Sequence, residues 1–343
     1  MRPVYVYFIC LTGLGALAQT TVEKQCEVSA TVQIHVKNPM GNVNVKAWDK
    51  AEVQLSATLD RAVERLDFEC QSDRVEVSVI VPQGARRGRE ASITLIVPRM
   101  CRLGIDTVSA PIRVIGVGGE LRLFAVSGDV SVTGDADQIQ TKTISGDIQL
   151  AANSRKLALT AVSGQIEVAG NAETVKATTI SGDAYFKGDY GEFSFGTTSG
   201  ALAVAGAVAR ADIETISGDI AVATLREEAD LTTISGSIEA GAENLSAGEI
   251  GSLSGEITLR GSLAARCDLD LHSFSGDITL TTPAPPSASF QVSTFSGDIQ
   301  NNLSADAPVK KHGPGRELSI QQAEAGGNVR LKTNSGDIRL NPL

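Results

Sequence analysis

Aromatic side chains are scarce in this chain of 343 residues: Phe, Trp and Tyr make up 4 % of it, and Trp48 is the one tryptophan. A core anchored by large rings is therefore excluded, and Ile, Val, Leu and Ala must fill the interior in many similar layers. A basic face is missing too. The formal charge is −10, and the one basic cluster, Arg86, Arg87 and Arg89, sits among turn residues as a solvated loop. Nucleic acid is excluded as a partner, because its recognition needs a cationic face that displaces counterions. Histidine occurs three times, as His35, His272 and His312, in contexts that share no motif, so acid–base chemistry has no evident centre. No pair of cysteines has zinc-finger spacing, and no cofactor is implied. Beyond the N-terminus no apolar run approaches a membrane span, so none is expected in the mature chain.

What the N-terminus does contain reads as a signal peptide over 1–18. Arg2 supplies the positive charge, residues 4–17 (VYVYFICLTGLGAL) are apolar, and Ala16-Leu17-Ala18 offers a small-residue cleavage site. A lipid anchor on Cys10 is disfavoured, because Phe8 and Ile9 stand where small residues are needed. The expected location is outside the cytoplasm: periplasmic, cell-surface or secreted. Cleavage leaves Cys26, Cys70, Cys101 and Cys267 as possible disulfide cysteines, with two bridges permitted in three connectivities. Three of the four precede residue 102, which allows for one bridge within the N-terminal region.

Glycine is abundant, at 34 residues, and it is periodic. Ser-Gly pairs begin at Ser127, Ser145, Ser163, Ser181, Ser199, Ser217 and Ser235, each 18 residues after the last. The pairs at Ser254, Ser275 and Ser296 follow at steps of 19, 21 and 21, and the last, at Ser335, after 39. Stepping back from Ser127 reaches Ser109, where SAPIRV is a degenerate first copy. The third residue of each unit is usually acidic, and the fourth and sixth are apolar, as in Ile148 with Leu150 or Ile220 with Val222. The residue before the serine is usually Ile, Val or Phe, and a second apolar pair follows near positions 13 and 15, such as Leu157 with Leu159. Alternation with period two marks short half-buried strands, about two per unit. Recurrent glycine and crowded β-branched residues exclude helix.

Eighteen residues cannot bury a core alone, so units must stack on their neighbours. The expected fold is all-β: a single-stranded parallel β-helix, or β-solenoid, of 18-residue coils, with a right-handed coil favoured. Residues 109–343 would form the coils, with an inserted loop at about 304–316. The 39-residue gap is close to two coils, so the solenoid is expected to continue beneath that loop. Residues 19–108 alternate without the repeat and would form a β-rich N-terminal cap covering open strand edges.

The motif is fullest at Ser127-Gly128-Asp129, Ser145-Gly146-Asp147, Ser217-Gly218-Asp219, Ser275-Gly276-Asp277, Ser296-Gly297-Asp298 and Ser335-Gly336-Asp337. We read it as a structural turn. Glycine permits a positive φ or a close approach, and Ser and Asp can bond backbone groups left over at the bend. The competing reading is a carboxylate ladder for Ca²⁺. Against that, Gln165, Ala201 and Ser237 interrupt the column, and a calcium-binding β-roll repeat is absent.

The order of parts is an export signal, the strand GNVNVKAW, the strand SITLIVP ending at Pro98, a run of SGDI coils, and a terminal KTNSGDIRL. This order resembles a bacterial putative-adhesin family, a domain of unknown function, over about 30–343. The resemblance implies a β-helical extracytoplasmic protein, and the family brings no agreed catalytic residues. Two functions remain. The first is a cell-envelope structural or adhesin-like protein with no catalytic activity, presenting its surface to an envelope glycan or a surface protein. The second is a polysaccharide lyase or hydrolase on the same scaffold. A nucleophile is needed once rather than in every copy, so the first reading is favoured. A cleft, if present, is expected among the irregular coils of 254–316, near Pro283, Pro285 and Pro286.

Overall fold

A computed structural model of the protein describes residues 19–82, 89–284, 288–310, 314–321 and 326–343. The segment read as a signal peptide lies outside these residues, as do Arg86, Arg87, His312, Pro285 and Pro286. The described residues contain strands and no helix, and the fold is the expected parallel β-helix. The chain forms two compact units, Met1–Asn171 and Ala172–Leu343.

In the first unit each coil holds a long strand, the Ser-Gly-Asp turn, a short strand and a second turn. Ala136–Thr143 is a long strand, and it pairs in parallel with Glu120–Ala125 on one side and Ser154–Ala161 on the other. The short strand Ile148–Ala151 lies between Val130–Thr133 and Ile166–Ala169. Successive partners are 18 residues apart, as in Ile139 with Leu157. Because Cβ atoms alternate along a strand, every second side chain enters the core: Ile139, Ile148 and Leu150 are buried. Burial of such a side chain contributes roughly 1.5–3 kcal/mol, repeated in every coil. The second turn bends on glycines with positive φ, including Gly134 and Gly170, a conformation that costs other residues energy.

The expected cap shares the coil geometry. Gln33–Asn38 and Gly41–Trp48 form a coil whose strands pair in parallel with Arg102–Thr107 and Ile112–Ile115. On their other side lie Arg74–Ile80 and Ala91–Pro98, also parallel. The coil that comes first in the chain is therefore not the outermost. Residues 33–48 are sandwiched between 74–98 and 102–115. Antiparallel strands then finish the edge: Glu52–Leu59 on Ala91–Pro98, Thr20–Glu27 on Glu52–Leu59, and Arg65–Cys70 on Arg74–Ile80. Reversing direction in this way blunts an edge that would otherwise template further coils.

In the second unit the coils run more continuously, and Leu202–Ser217 and Ile220–Ser235 pass the second turn without a break. A cluster of the chain's few aromatics fills one level, with the rings of Phe186 and Phe193 4.9 Å apart and Tyr190 beside both. The C-terminal end departs from the expectation of a coil hidden beneath a loop. The last repeat, Asn328–Ser335 with Ile338–Pro342, lies directly on Ile257–Ser275 and Ile278–Thr282. The earlier coil, Ser289–Ser296 with Ile299–Asn301, stacks on its other side. The final repeat is thus intercalated, and residues 302–327 form the excursion that lets it return. That excursion is more than a loop, because Arg316–Ile320 pairs antiparallel with Ser289–Ser296 and carries Val309–Lys310 beyond it. Charge helps to fix the slot. Arg330 of the last repeat bonds Asp270 at 3.1 Å, and Arg339 bonds Asp277 at 2.9 Å.

Candidate functional site

The Ser-Gly-Asp turns stack in register, and the geometry gives each residue a different task. A Cβ built on Gly146 would lie 2.1 Å from the carbonyl oxygen of Gly128, and one on Gly218 would lie 2.0 Å from that of Gly200. Close approach, rather than positive φ, is therefore what demands glycine in most copies; Gly200 alone of this column has φ in the left-handed range. Most of the aspartates bond across coils; Asp298 of the outer coil instead accepts from the N–H of Ile299 in its own bend at 3.0 Å. Asp129 Oδ1 accepts from the backbone N–H of Asp147 at 3.1 Å, Asp147 from Gln165 at 2.9 Å, and Asp183 from Ala201 at 2.9 Å. Asp277 accepts from Asp337, and Asp337 from Asp298, both at 2.8 Å. The contact needs only the N–H of the residue above each acid, which is why Gln165, Ala201 and Ser237 can interrupt the acidic column without loss of it. Asp219 accepts from both the N–H and the hydroxyl of Ser237. These bonds hold its carboxyl below the usual carboxylate range. A depressed folded value stabilises the fold above the unfolded pKa, and that contribution is lost as pH falls through the folded one. The serines themselves are exposed.

The residue before the serine is turned outward in most coils, with Val126 half-buried. Val108, Ile144 and Val162 in the first unit are between 37 % and 49 % exposed, and Ile180, Ile216, Ile234, Leu253, Phe274 and Phe295 in the second between 46 % and 62 %. The position before it points inward instead and carries a small hydroxyl residue in most coils, including Thr143, Thr179, Thr215, Thr233, Ser252 and Thr294. Some of these hydroxyls bond an adjacent coil, as Thr294 donates to the Gly336 carbonyl at 3.0 Å. Thr is nearly the size of Val, so the core accepts it at little steric cost. The signal for this frame lies in the second apolar pair: counting by twos from Leu157 and Leu159 puts Ala161 inside and Val162 outside. Pairing carries the outward residues into columns, and Ile216, Ile234, Leu253 and Phe274 occupy four successive coils. The serine column borders this apolar ladder on one side.

Outward positions of the long strands carry charge in the second unit. Asp212, Asp230, Glu249 and Asp270 form a column. A shallow groove of about 450 Å³ crosses part of this face, lined among others by Lys176, Glu192, Arg210, Asp212 and Asp230. Its Arg210 is already paired with Glu192 and Glu227. Farther along, His272 lies over Gly251, with Nδ1 3.7 Å from Glu249 and 3.8 Å from Asp270. The intercalated repeat adds Arg330 to this group, a neighbour that sequence order conceals. His35 stands elsewhere, 2.8 Å from Asp106. Among the described residues no group of three or more His, Cys, Asp or Glu is arranged to hold a metal ion.

Of the four candidate cysteines, Cys26 and Cys70 form a disulfide that ties together the two antiparallel edge strands Thr20–Glu27 and Arg65–Cys70. Cys101 and Cys267 are free and buried, so the second bridge that the count permitted is not made. Burial pushes the Cys101 thiol up to about 12 and raises that of Cys267 as well. Since the thiolate is the reactive form, a thiol-specific reagent at neutral pH should label neither cysteine in the folded protein. In denaturant a chain cleaved after residue 18, and so without Cys10, should label at two thiols, and at four after reduction. Labelling in the folded state would contradict the burial.

The sequence signature of the family described as Toastrack DUF4097 matches residues 15–341. No curated protein matches the chain. Among solved structures, a putative cell adhesion protein from Clostridium sporogenes is 7 % identical with a TM-score of 0.19, covering 95 % of this chain and 100 % of its own. A putative adhesin from Bacteroides fragilis is 14 % identical with a TM-score of 0.21, covering 94 % and 97 %. One from Parabacteroides distasonis is 12 % identical with a TM-score of 0.35, covering 93 % and 97 %.

Proposed function

The chain belongs to the Toastrack DUF4097 family, and from that premise we propose that it is an exported, adhesin-like binding protein of the cell envelope, acting by surface contact rather than turnover. The observation that carries this reading is the ladder of outward apolar side chains beside the serine column. Single exposed apolar residues need no explanation, but a contiguous apolar row marks a contact surface. The row is mostly aliphatic, with few groups such as Thr198 and Asn334 to hydrogen-bond sugar hydroxyls, so a protein surface suits it better than a glycan. The Cys26–Cys70 bridge suits an oxidising compartment, in keeping with a leader over 1–18 and a periplasmic, cell-surface or secreted location. The stacked turns are structural in this reading, and the carboxylates serve the coil rather than Ca²⁺.

The test is binding of the purified protein to isolated envelopes, with and without prior protease treatment. Protease should abolish binding, and Ile144→Asp, in the first unit's part of the ladder, should reduce it at least tenfold. Binding that survives both would sink the proposal, and binding lost only after glycan hydrolysis would move it to a glycan. A carbohydrate-active enzyme is the second reading, and one observation favours it: His272, Glu249, Asp270 and Arg330 share one face in the irregular coils. Release of reducing sugar from any envelope polysaccharide, lost in His272→Ala, would establish that reading instead.

A further inference from the structure

Read along the stack rather than along the chain, the second unit's ladder runs Ile180, Thr198, Ile216, Ile234, Leu253, Phe274, Asn334, Phe295. The penultimate place of Asn334 follows from the intercalated last repeat. In this order the ladder is a palindrome of character: one apolar rung, one polar, four apolar, one polar, one apolar. A column with that property matches itself when reversed. We propose that this face is a dimerisation surface, and that its partner is a second copy of the same chain with its coils running in the opposite direction.

An isologous contact requires that a patch be complementary to itself under a twofold rotation. Place the axis in the interface, parallel to the strands, between the levels of Ile234 and Leu253. Ile234 then meets Leu253 of the partner subunit, and Ile216 meets Phe274 of the partner subunit. Thr198 faces Asn334 of the partner subunit, two polar rungs able to hydrogen-bond. Such a rotation also lays each flanking column on its own reverse. On the turn side that brings serine against serine. On the other side Thr178, Gly196, Glu214, Thr232, Gly251, His272, Lys332 and Ser293 accompany the eight rungs. Reversal sets Glu214 opposite His272 of the partner subunit, and Thr232 opposite Gly251 of the partner subunit. A second coil stack is also the partner whose repeat, about 4.8 Å, equals that of the ladder at every level.

The area is sufficient for a reversible dimer. Seven steps of about 4.8 Å make the ladder about 34 Å long, and with its two flanking columns it is about 15 Å wide. Contact would remove on the order of 500 Å² from each copy, or about 1,000 Å² in total, the threshold for a specific interface and in the range of weak, reversible ones. The acidic column of Asp212, Asp230, Glu249 and Asp270 would meet its own reverse at the rim, so association is best measured at a salt concentration that screens it. The inference rests on reading the ladder as a contact surface, and it leaves the first unit's Val108, Ile144 and Val162 for the envelope partner.

Sedimentation equilibrium of the protein in screening salt should give twice the chain mass at high concentration, dissociating on dilution. Ile234→Asp and Leu253→Ser, both at exposed positions, should weaken association at least tenfold while the circular dichroism and melting curve stay unchanged. Cysteine pairs then test the direction. Mixing Thr198→Cys with Asn334→Cys should yield a disulfide-linked heterodimer, whereas each variant alone should stay unlinked. A protein that is monomeric at its solubility limit would overturn the proposal, as would a dimer indifferent to both ladder variants. Self-linking of Thr198→Cys alone would overturn the antiparallel order. A monomer whose envelope binding still falls with Ile144→Asp would separate failure of this inference from failure of the proposed function.

Discussion

Deleting residues 328–343 should unfold more of the protein than it removes. The last repeat is bonded on both faces, to Ile257–Ser275 below and Ser289–Ser296 above. Its side chains Val329, Leu331, Ile338 and Leu340 are at most 1 % exposed. Their burial alone contributes roughly 6–12 kcal/mol at about 1.5–3 kcal/mol each. The coil above would also lose the bond from Thr294 to Gly336 and the one from Asp298 to Asp337. Hydrogen exchange should then show the described parts of 289–320 exchanging like unfolded chain, while 202–254 keeps its protection. A synthetic peptide of the deleted residues should restore protection, because Asp270 and Asp277 remain to receive Arg330 and Arg339. Full protection of 289–320 in the truncated protein would mean that the outer coil can dock without the last repeat.

The second large effect concerns a single methyl group. Gly218→Ala would set a Cβ 2.0 Å from the Gly200 oxygen and 3.2 Å from Thr215 Oγ1. Neither is the end of a flexible side chain, so two coils must part along a hydrogen-bonded edge. The expected loss is at least about 3 kcal/mol, the upper part of the range for overpacking. Asp219→Ala, next to it, removes an exposed acceptor from Ser237 and should cost about 1 kcal/mol. Urea unfolding of both variants checks the order. Equal losses, or a larger one for the aspartate, would mean that the column depends on its carboxylates, as a metal ladder would.

How far the sequence reveals this structure depends on which contacts repeat. Ile148, Leu150, Leu157 and Leu159 have the same neighbours in coil after coil, so their spacing alone places them in the core. The ladder was legible in principle, since Leu157 and Leu159 fix the frame that turns Val162 outward. Hydrophobicity pointed the other way, because Ile beside Thr reads as the buried member of the pair. Stack order at the ends is a different matter. Every Ser-Gly-Asp repeat offers nearly the same edge, so nothing local says that Ser335 should lie between Ser275 and Ser296 instead of beyond Ser296. That choice is made by Arg330, Arg339 and the returning antiparallel strands. The grouping of Arg330 with His272 was hidden for the same reason. The Cys26–Cys70 bridge depends on two edge strands that meet only through the coil they cover.

The sandwiched coil at 33–48 has a consequence in time. A chain delivered from its N-terminus presents these residues first, yet both of their neighbours, 74–98 and 102–115, arrive later. The segment gains one neighbour once residue 98 is present and the other only once residue 115 is. Loop closure over such separations is slow compared with adding one coil to a finished edge. The N-terminal end should therefore close in two steps, first onto 74–98 and then against 102–115. A chain stopped before residue 102 would hold 33–48 on one side only, with the other edge of that coil open to pairing.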